Sequence, residues 1–323
     1  MTTNPLPAAA DASIAPGRRP RVAVLLPCLN EARVIAAVVR GFRLALPEAT
    51  IYVYDNGSVD GTGALAAAAG AVVRDEVLRG KGNVVRRMFA DVEAEIYVLA
   101  DGDGTYDAPA APALVAALRG QRLDMVVGMR VGTAKAAYRQ GHVLGNKALS
   151  AVVGALFGNR FQDVLSGYRV LSRRFVKSFP ALSRGFEIEA ELAIHALSLG
   201  MPVAEIATLY GARAGGSQSK LRTYRDGLHI LLAILRLMKE ERPLLFFTGL
   251  GSLLALASVA IAYPIINTYL ATGLVPRFPT AILCTGLMIL AFLSLSCGFI
   301  LDTVTRGRRE MKRLAYLANP AVD

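Results

Sequence analysis

Three aspartates follow an apolar run in YVLADGDGTYDAP, which spans residues 97–109. The run is typical of a buried strand, and a glycine separates the first two carboxylates. Two carboxylates this close repel each other unless they share a cation, and Mg²⁺ or Mn²⁺ binds few carboxylates together with waters and phosphate oxygens. The pattern therefore favours a divalent-cation site at Asp101 and Asp103 over a simple Asp/Gly turn. We expect Asp107 to cap the helix that begins near Pro109.

Other ligand motifs fit this part of the chain less well. An EF-hand loop is excluded. With Asp101 as its first position, the fifth, sixth and twelfth positions are Thr105, Tyr106 and Pro112 instead of the required residues. The stretch GTGALA at 61–66 is similar to a dinucleotide fingerprint, but a long turn separates it from the preceding strand, which argues against a nicotinamide-dependent oxidoreductase. RGKGN at 79–83 is not a P-loop, although it can place Lys81 and helix N-terminal amides near an anion.

Composition narrows the classes of partner. The chain has 323 residues, 54% hydrophobic residues and a formal net charge of +11. A basic protein can bind nucleic acid, anionic lipid or a phosphorylated substrate. There is no Trp, and the Lys and Arg residues are not interleaved with aromatics, so we expect no nucleic-acid partner. The three cysteines, Cys28, Cys284 and Cys297, form no disulfide or metal-binding pattern.

Short β-branched runs alternate with Ala-rich helical stretches from residue 21 onward. This alternation predicts an α/β catalytic domain over residues 21–220, after a flexible tail at 1–20, with a mostly parallel sheet. Strands are expected at 22–27, 51–55, 71–73, 96–101 and 124–128, and helices at 31–45, 62–69, 81–92, 109–119, 141–157 and 186–200. A turn and a short strand are expected at 166–174. The carboxyl ends of such strands form the ligand site.

The helix expected at 186–200 carries a run of three glutamates. It is expected to be amphipathic, with the Glu187, Glu189 and Glu191 run on a solvated face. A contribution of two of these carboxylates to an acceptor site is the alternative. The three histidines, including His195, have no partner at metal-ligand spacing and are interpreted as structural.

The C-terminal third has the pattern of a membrane anchor. Residues 221–242 predict an amphipathic helix on a membrane surface, with an ordinary surface helix as the alternative. Two uncharged segments, 244–266 and 280–301, are each long enough to cross a bilayer. Basic residues flank this pair on both outer sides, and the connecting loop carries only Arg277. The positive-inside rule then predicts a hairpin in the cytoplasmic membrane, with the catalytic domain, both termini and a basic tail at 303–323 in the cytoplasm.

Five motifs in order resemble the family 2 glycosyltransferases, which have the GT-A fold. They are PCLNE at 27–31, DNGSVDGT at 55–62, DGD at 101–103, DVLSGYRV at 163–170 and GGSQSKL at 215–221. The last two, together with the membrane hairpin, are similar to the polyprenyl-phosphate branch, which includes dolichol-phosphate mannose synthases and bacterial undecaprenyl-phosphate glucosyltransferases. Two positions depart from the pattern: Asn56 replaces a second Asp, and GTYD replaces the usual LQH after the DGD motif.

The resemblance implies a role for each matching position. Nucleotide-sugar binding would involve Pro27, Leu29, Glu31, Asp55, Lys81 and Asp101. Asp101 and Asp103 would hold Mg²⁺ or Mn²⁺. The catalytic group would comprise Asp163, Asp103 and Arg169. Contacts to the acceptor phosphate would come from Arg169, Ser219, Lys220, Arg130 and Arg139.

The implied reaction transfers one sugar, with inversion, from a UDP- or GDP-sugar to a polyprenyl phosphate. An acceptor phosphate is already anionic, so Asp163 is expected to orient a basic residue or the sugar rather than to take a proton. The resemblance also implies a possible homo-oligomer, since the family includes tetramers. A membrane-anchored nucleotide-sugar-binding or scaffold protein without activity is the alternative from another class.

Overall fold

A seven-stranded sheet forms the centre of the described part of the chain. The computed structural model describes residues 20–132, 154, 161–185, 187–211, 236 and 238–322. The strands are β1 Val22–Cys28, β2 Thr50–Asp55, β3 Val72–Asp75, β4 Ile96–Leu99, β5 Met125–Gly132, β6 Arg169–Ser172 and β7 Val203–Tyr210. Their order is β3-β2-β1-β4-β6-β5-β7, and the neighbouring pairs are parallel except those of β6 with β4 and β5. The predicted α/β class with a mostly parallel sheet is confirmed.

Helices cover both faces of the sheet. They are α1 Ile35–Ala45, α2 Thr62–Ala68, α3 Lys81–Asp91, α4 Ala111–Gly120, α5 Arg173–Ser178 and α6 Ile188–Leu199, with a 3₁₀ turn at Ala108–Ala110 before α4. All four residues of β4 and most of β1 are buried, as expected for central strands covered on both sides. Two apolar clusters, one on each face, form the core.

The antiparallel strand β6 positions the site. Leu99, the last residue of β4, pairs with Arg169, the first residue of β6. The chain that leads into β6 therefore lies beside the loop that leaves β4. This places the SGYR motif next to the DGD motif, although more than sixty residues separate them in sequence.

The turn and short strand expected at 166–174 are present, with β6 four residues long and antiparallel to its neighbours, whereas the sequence analysis did not predict β7. β7 is hard to recognise because its residues are mostly half-buried and its sequence, VAEIATLY, is interrupted by Ala and Glu. The helix expected at 141–157 and most of the amphipathic helix expected at 221–242 lie outside the described residues.

The prediction of an amphipathic α6 is wrong. Eight of its twelve residues are buried, including Glu189 and His195. Core side chains lie on one side of α6, and a C-terminal helix described below packs on another. Burial lowers the pKa of His195 to about 3, and its Nε2 lies 2.9 Å from Ser178 Oγ, so this histidine is neutral and structural.

Two long helices follow the α/β domain. They are α7 Pro243–Thr272 and α8 Phe278–Leu317, and both are long and apolar enough to cross a membrane. Small residues let them pack closely, as in many membrane helix pairs. A Cβ added at Gly251 would lie 2.9 Å from the Ala291 carbonyl oxygen, and Ser258 Oγ donates a 2.8 Å hydrogen bond to the Cys284 carbonyl.

Helix α8 does not end with its apolar segment. Residues 303–317, predicted as a basic tail, continue the helix and pack on α5 and α6. Tyr316 Oη donates a 2.9 Å hydrogen bond to Asp124 Oδ2, and the Arg174 guanidinium lies 4.8 Å from the Tyr316 ring centre. Arg313 donates to the Leu199 carbonyl at the end of α6. The catalytic domain is thus joined to α8 at the sheet edge opposite the DGD loop.

We expect Tyr316→Phe to weaken this attachment. The variant removes a hydrogen bond to a buried carboxylate, which costs about 1–2 kcal/mol. Thermal unfolding in detergent should show a lower midpoint, whereas Tyr269→Phe, at an exposed position on α7, should unfold like the wild type. Equal midpoints for Tyr316→Phe and wild type would contradict the assignment.

Candidate active site

The loops after β1 and β2 are fastened to each other. Asn30 has a left-handed backbone (φ 56°), and its Oδ1 accepts a 2.9 Å hydrogen bond from Val59 N. Its own N–H donates to Ser58 Oγ at 2.8 Å, and Glu31 N donates to Thr62 Oγ1 at 2.8 Å. The PCLNE and DNGSVDGT motifs therefore form one rigid wall.

The predicted nucleotide-binding residues of these two loops lie together on this wall. In the paired strands β1 and β2, Pro27 aligns with Tyr54 and Cys28 aligns with Asp55. Leu29 and Glu31 follow directly and are half-buried. Asp55 Oδ1 accepts a 2.7 Å hydrogen bond from Ser58 N, so this carboxylate also shapes its own turn.

Asn56, the departure from the family pattern, has a structural role. Its Nδ2 donates to the Glu76 and Leu78 carbonyls, both at 2.8 Å, and its Oδ1 accepts from Gly80 N at 2.8 Å. An aspartate could not donate to the two carbonyls. Asn56 thus fixes the loop from β3 to α3, which carries Lys81.

The DGD loop leaves β4 with its two carboxylates in different surroundings. Asp103 is buried, and its Oδ1 accepts hydrogen bonds from Thr105 Oγ1 at 2.6 Å and from Thr105 N at 3.1 Å. Thr105 therefore orients the Asp103 carboxylate. Asp101 is more open, with 28% of its side chain exposed. Asp107 occupies the predicted N-cap position, before the 3₁₀ turn that leads into α4, but its side chain makes no capping hydrogen bond.

Lys81 lies between two carboxylates. Its Nζ donates to Asp101 Oδ1 and, at 2.5 Å, to Glu189 Oε1. Burial alone would lower the pKa of Lys81, but the two carboxylates outweigh burial and raise it above its usual value. The predicted proximity of helix N-terminal amides to an anion is only partly met, because Gly82 N donates to the Arg184 carbonyl.

Glu189 is the site residue that sequence reasoning missed, since the Glu run was assigned to solvent. Glu189 is 5% exposed. A partial signal was present: the residues three, four and seven positions after Glu189 are apolar and buried, so Glu189 lies on their face of α6. Glu191 is also engaged, because its carboxylate accepts hydrogen bonds from Leu182 N and Ser183 N.

The SGYR motif packs against the acidic loop. Ser166 Oγ donates to the Gly128 carbonyl at 2.6 Å, and Gly167 N donates to Tyr106 Oη at 2.7 Å. A Cβ at Gly167 would lie 2.9 Å from Asp101 Oδ2 and 3.1 Å from Lys81 Nζ. This position therefore needs glycine because the charged pair is so close.

Arg169 does not occupy the position expected of an acceptor-binding residue. Its side chain is fully buried, and its guanidinium donates to the carbonyl oxygens of Ser166, Val164 and Glu189. Burial lowers its pKa to about 10. The predicted contact with an acceptor phosphate, and with it a direct catalytic role, is inconsistent with this geometry. Arg169 instead fastens the loop before β6 to the start of α6.

Arg130 and Asp163 form a bidentate ion pair. Arg130 Nε donates to Asp163 Oδ2 at 2.8 Å, and its Nη2 donates to Oδ1 at 2.6 Å. Glu205 fixes the backbone of this segment by accepting from the N–H groups of Gln162 and Asp163. The Arg130 guanidinium lies 5.6 Å from the Tyr210 ring centre. The structure thus pairs Asp163 with a basic residue, and the role of Asp163 in the reaction stays a prediction.

Tyrosines connect the acidic loop to this ion pair. The Tyr106 ring centre lies 5.3 Å from that of Tyr210, and Tyr106 Oη accepts from Gly167 N. Burial and the nearby Asp101 raise the pKa of Tyr106, so its hydroxyl stays protonated. The carboxylates of the DGD loop, Lys81 and the Arg130–Asp163 pair thus belong to one continuous site at the carboxyl end of the sheet.

Comparison with known proteins identifies the family. Residues 23–177 match the family model "Glycosyl transferase family 2". The glycosyltransferase AglJ of Haloferax volcanii is 32% identical over 308 residues, which covers 92% of this chain and 98% of AglJ. This chain belongs to glycosyl transferase family 2. A dolichyl-phosphate hexose transferase of the same organism is 26% identical over 222 residues, covering 68% of this chain and 95% of the relative.

Solved structures show the same fold. Glucosyl-3-phosphoglycerate synthase from Mycobacterium tuberculosis, in complex with Mn²⁺, UDP and phosphoglyceric acid, superimposes with a TM-score of 0.55 at 26% identity. The match covers 68% of this chain and 78% of the synthase. The matched fold corresponds to the predicted GT-A fold, and the predicted family is confirmed.

The acidic loop of this family 2 glycosyltransferase suits a cation shared with a substrate. Among the described residues, no three His, Cys, Asp or Glu side chains form a cluster that could hold a metal ion by themselves. Asp101 and Asp103 supply two carboxylates one residue apart, and Mg²⁺ or Mn²⁺ accepts such a pair when phosphate oxygens and water complete its shell. The donor set therefore fits a cation that binds together with a diphosphate.

Three predicted acceptor-side residues lie outside the described residues: Arg139, Ser219 and Lys220. Their roles stay predictions.

We expect Gly167→Ala to impair sugar transfer without unfolding the protein. The new Cβ would lie within 3.1 Å of both Asp101 and Lys81 and would displace their side chains. A displacement below 1 Å at a catalytic group lowers the rate by about ten- to a hundredfold. Gly120→Ala, which adds a Cβ to open space, is the control and should keep full activity. Wild-type turnover by Gly167→Ala would show that this contact is not needed.

Proposed function

We propose that this glycosyltransferase moves a single sugar, with inversion, from a UDP- or GDP-sugar to a polyprenyl phosphate at the cytoplasmic membrane face. The observation that carries the proposal is the Arg130–Asp163 pair. It presents a guanidinium, not a proton acceptor, near the carboxyl end of β5. A guanidinium fixed in this way suits a phosphate.

The chemistry of the acceptor explains why a base is not needed. A hydroxyl acceptor must lose a proton as it attacks, whereas a phosphate monoester oxygen is already anionic. Both oxygens of Asp163 accept hydrogen bonds from Arg130, so both are engaged by the guanidinium. Asp163 therefore acts by holding Arg130 in place.

Charge is the main difficulty in this reaction, because two anionic reactants must meet. Arg130 neutralises the acceptor phosphate, and Lys81 lies on the donor side beside Asp101. An acceptor oxygen that attacks the anomeric carbon in line inverts its configuration, and the diphosphate leaves toward Asp101 and Asp103. A divalent cation held by these two residues would stabilise the charge on the leaving diphosphate.

The membrane hairpin favours a lipid over a soluble acceptor. Helices α7 and α8 could cross a bilayer, and basic residues flank the pair on both outer sides. The name of the dolichyl-phosphate hexose transferase relative also supports a polyprenyl acceptor. The M. tuberculosis synthase is named for a different acceptor, phosphoglycerate, so a soluble phosphorylated acceptor is the second candidate.

A donor and acceptor panel tests the proposal. The purified protein in liposomes should convert undecaprenyl phosphate to a glycosylated product, detected by mass, with at least one UDP- or GDP-sugar and Mg²⁺ or Mn²⁺. 3-Phosphoglycerate serves as the competing soluble acceptor. Turnover of 3-phosphoglycerate alone would replace the lipid acceptor, and absence of turnover with every pair would support a non-catalytic binding protein.

Asp101→Asn and Asp103→Asn should each lower turnover by about a hundredfold or more, because each removes a charge that holds the cation and diphosphate. Thermal unfolding would verify that both variants are folded. Full activity of both with Mg²⁺ present would contradict the role assigned to the DGD loop.

Substitutions of Arg130 should affect binding of the acceptor more than binding of the donor. Arg130→Gln is expected to raise the KM for polyprenyl phosphate about tenfold or more, with little change in the KM for the nucleotide sugar. Arg130→Lys retains the charge but loses the bidentate geometry, so it should fall between Gln and wild type. A larger effect on the donor KM than on the acceptor KM would contradict the assignment of Arg130 to the acceptor phosphate.

A further inference from the structure

Lys81 has one carboxylate partner on the open side of the site and one on the closed side. Asp101, with 28% of its side chain exposed, can be reached by a ligand. Only 7% of the Glu189 side chain is exposed. It lies behind Lys81, whose own side chain is 9% exposed. A donor that enters the site can therefore contact Asp101 directly, but it reaches Glu189 only through Lys81.

Glu189 is fixed in this position by its surroundings. It lies in the first turn of α6, and its backbone carbonyl accepts a 2.7 Å hydrogen bond from Arg169 Nη2. Its Oε1 is bonded to Lys81, whereas its Oε2 is buried and has no hydrogen-bond partner among the described residues. A buried carboxylate with one unsatisfied oxygen is costly for the fold, so its ion pair with Lys81 needs an explanation beyond stability.

The explanation lies in what must happen to Asp101. In the structure, Asp101 Oδ1 is bonded to Lys81, so this oxygen is engaged by a cation of the protein. We expect Asp101 to loosen this contact when it turns to engage the donor diphosphate and its cation. With Asp101 as its single carboxylate partner, Lys81 would then become a buried ammonium without a counter-ion, which is strongly unfavourable.

We propose that Glu189 is a reserve counter-ion for Lys81, which allows Asp101 to turn from Lys81 to the donor. This inference rests on the proposed function only in that the donor is a nucleotide diphosphate sugar. Glu189 is a positioning residue, since it acts through Lys81 and does not touch the donor. Its presence keeps Lys81 in place and available to the departing diphosphate.

Glu189→Gln tests the proposal because glutamine has the same shape and no charge. Lys81 would keep Asp101 as its remaining carboxylate partner in this pair of contacts and hold it more tightly. Calorimetry with UDP and with GDP, each in the presence of Mn²⁺, should show nucleotide binding weakened about tenfold or more. Kinetics should show a raised donor KM and an unchanged acceptor KM.

Glu187→Gln is the matched control. It makes the same change two residues earlier in the same run, at an exposed position. It should bind both nucleotides like the wild type. An equal loss of binding in Glu187→Gln and Glu189→Gln would attribute the effect to the net charge of the helix end and overturn the proposal.

A double variant shows whether Glu189 acts through Lys81. In a Lys81→Met background, Glu189→Gln should cause no further loss of nucleotide binding, since the cation that it serves is absent. Additive losses would overturn the proposal. So would wild-type nucleotide binding by Glu189→Gln, or a lowered melting temperature with equal changes in donor and acceptor KM, which is the signature of a purely structural residue.

The outcomes separate this inference from the proposed function. Nucleotide binding that depends on Glu189, in a protein that transfers no sugar to polyprenyl phosphate, would keep the inference and reject the acceptor. Transfer to polyprenyl phosphate with unaltered nucleotide binding in Glu189→Gln would do the opposite. Failure of the wild type to bind either nucleotide with Mn²⁺ would overturn both.

Discussion

Compensation of the negative charge at the end of β4 is the constraint on which the site depends. Asp101 and Asp103 lie two positions apart in the loop that follows the central strand β4, and Glu189 brings a third carboxylate into the same region. Lys81 bridges two of them, and the loop that carries it is held by the amide of Asn56. Without these contacts, repulsion among the carboxylates would open the loop. The fold thus supplies one positive charge at this position, the Lys81 ammonium, and the proposed reaction adds a second, the divalent metal ion.

Opposite fates of two arginines show how burial decides function. Arg169 is the last residue of the SGYR motif, and Arg130 lies on the neighbouring strand β5. Both side chains carry a delocalised positive charge. Arg130 pairs with a carboxylate at the edge of the site, whereas Arg169 donates to three carbonyl oxygens inside the protein. The first can exchange partners with a ligand, but the second cannot without breaking the loop before β6. A motif residue therefore need not touch a substrate to be required.

Much of the catalytic domain was predictable because its signals are local. Alternating β-branched and Ala-rich runs located β1, β2 and β4, and the DGD spacing located the acidic loop. The remainder depends on contacts between distant parts of the chain. The burial of Glu189 and Arg169 follows from the antiparallel entry of β6 and from the packing of α6, and β7 has too few apolar residues to be distinctive. Sequence similarity to a family assigned Arg169 to the acceptor, and only its surroundings show otherwise.

The continuous helix α8 connects the catalytic domain rigidly to the pair of apolar helices α7 and α8. The helix runs from Phe278 to Leu317, and at 1.5 Å per residue the portion after residue 301 is about 24 Å long. Its far end is held by Asp124 and Arg174, so it works as a strut rather than a tether. In a bilayer, such a strut fixes the height of the domain above the headgroups. One inserted residue would turn that end by about 100° and move Tyr316 away from Asp124. The number of residues between the apolar segment and Tyr316 therefore sets how far the domain stands from the membrane and how it is oriented.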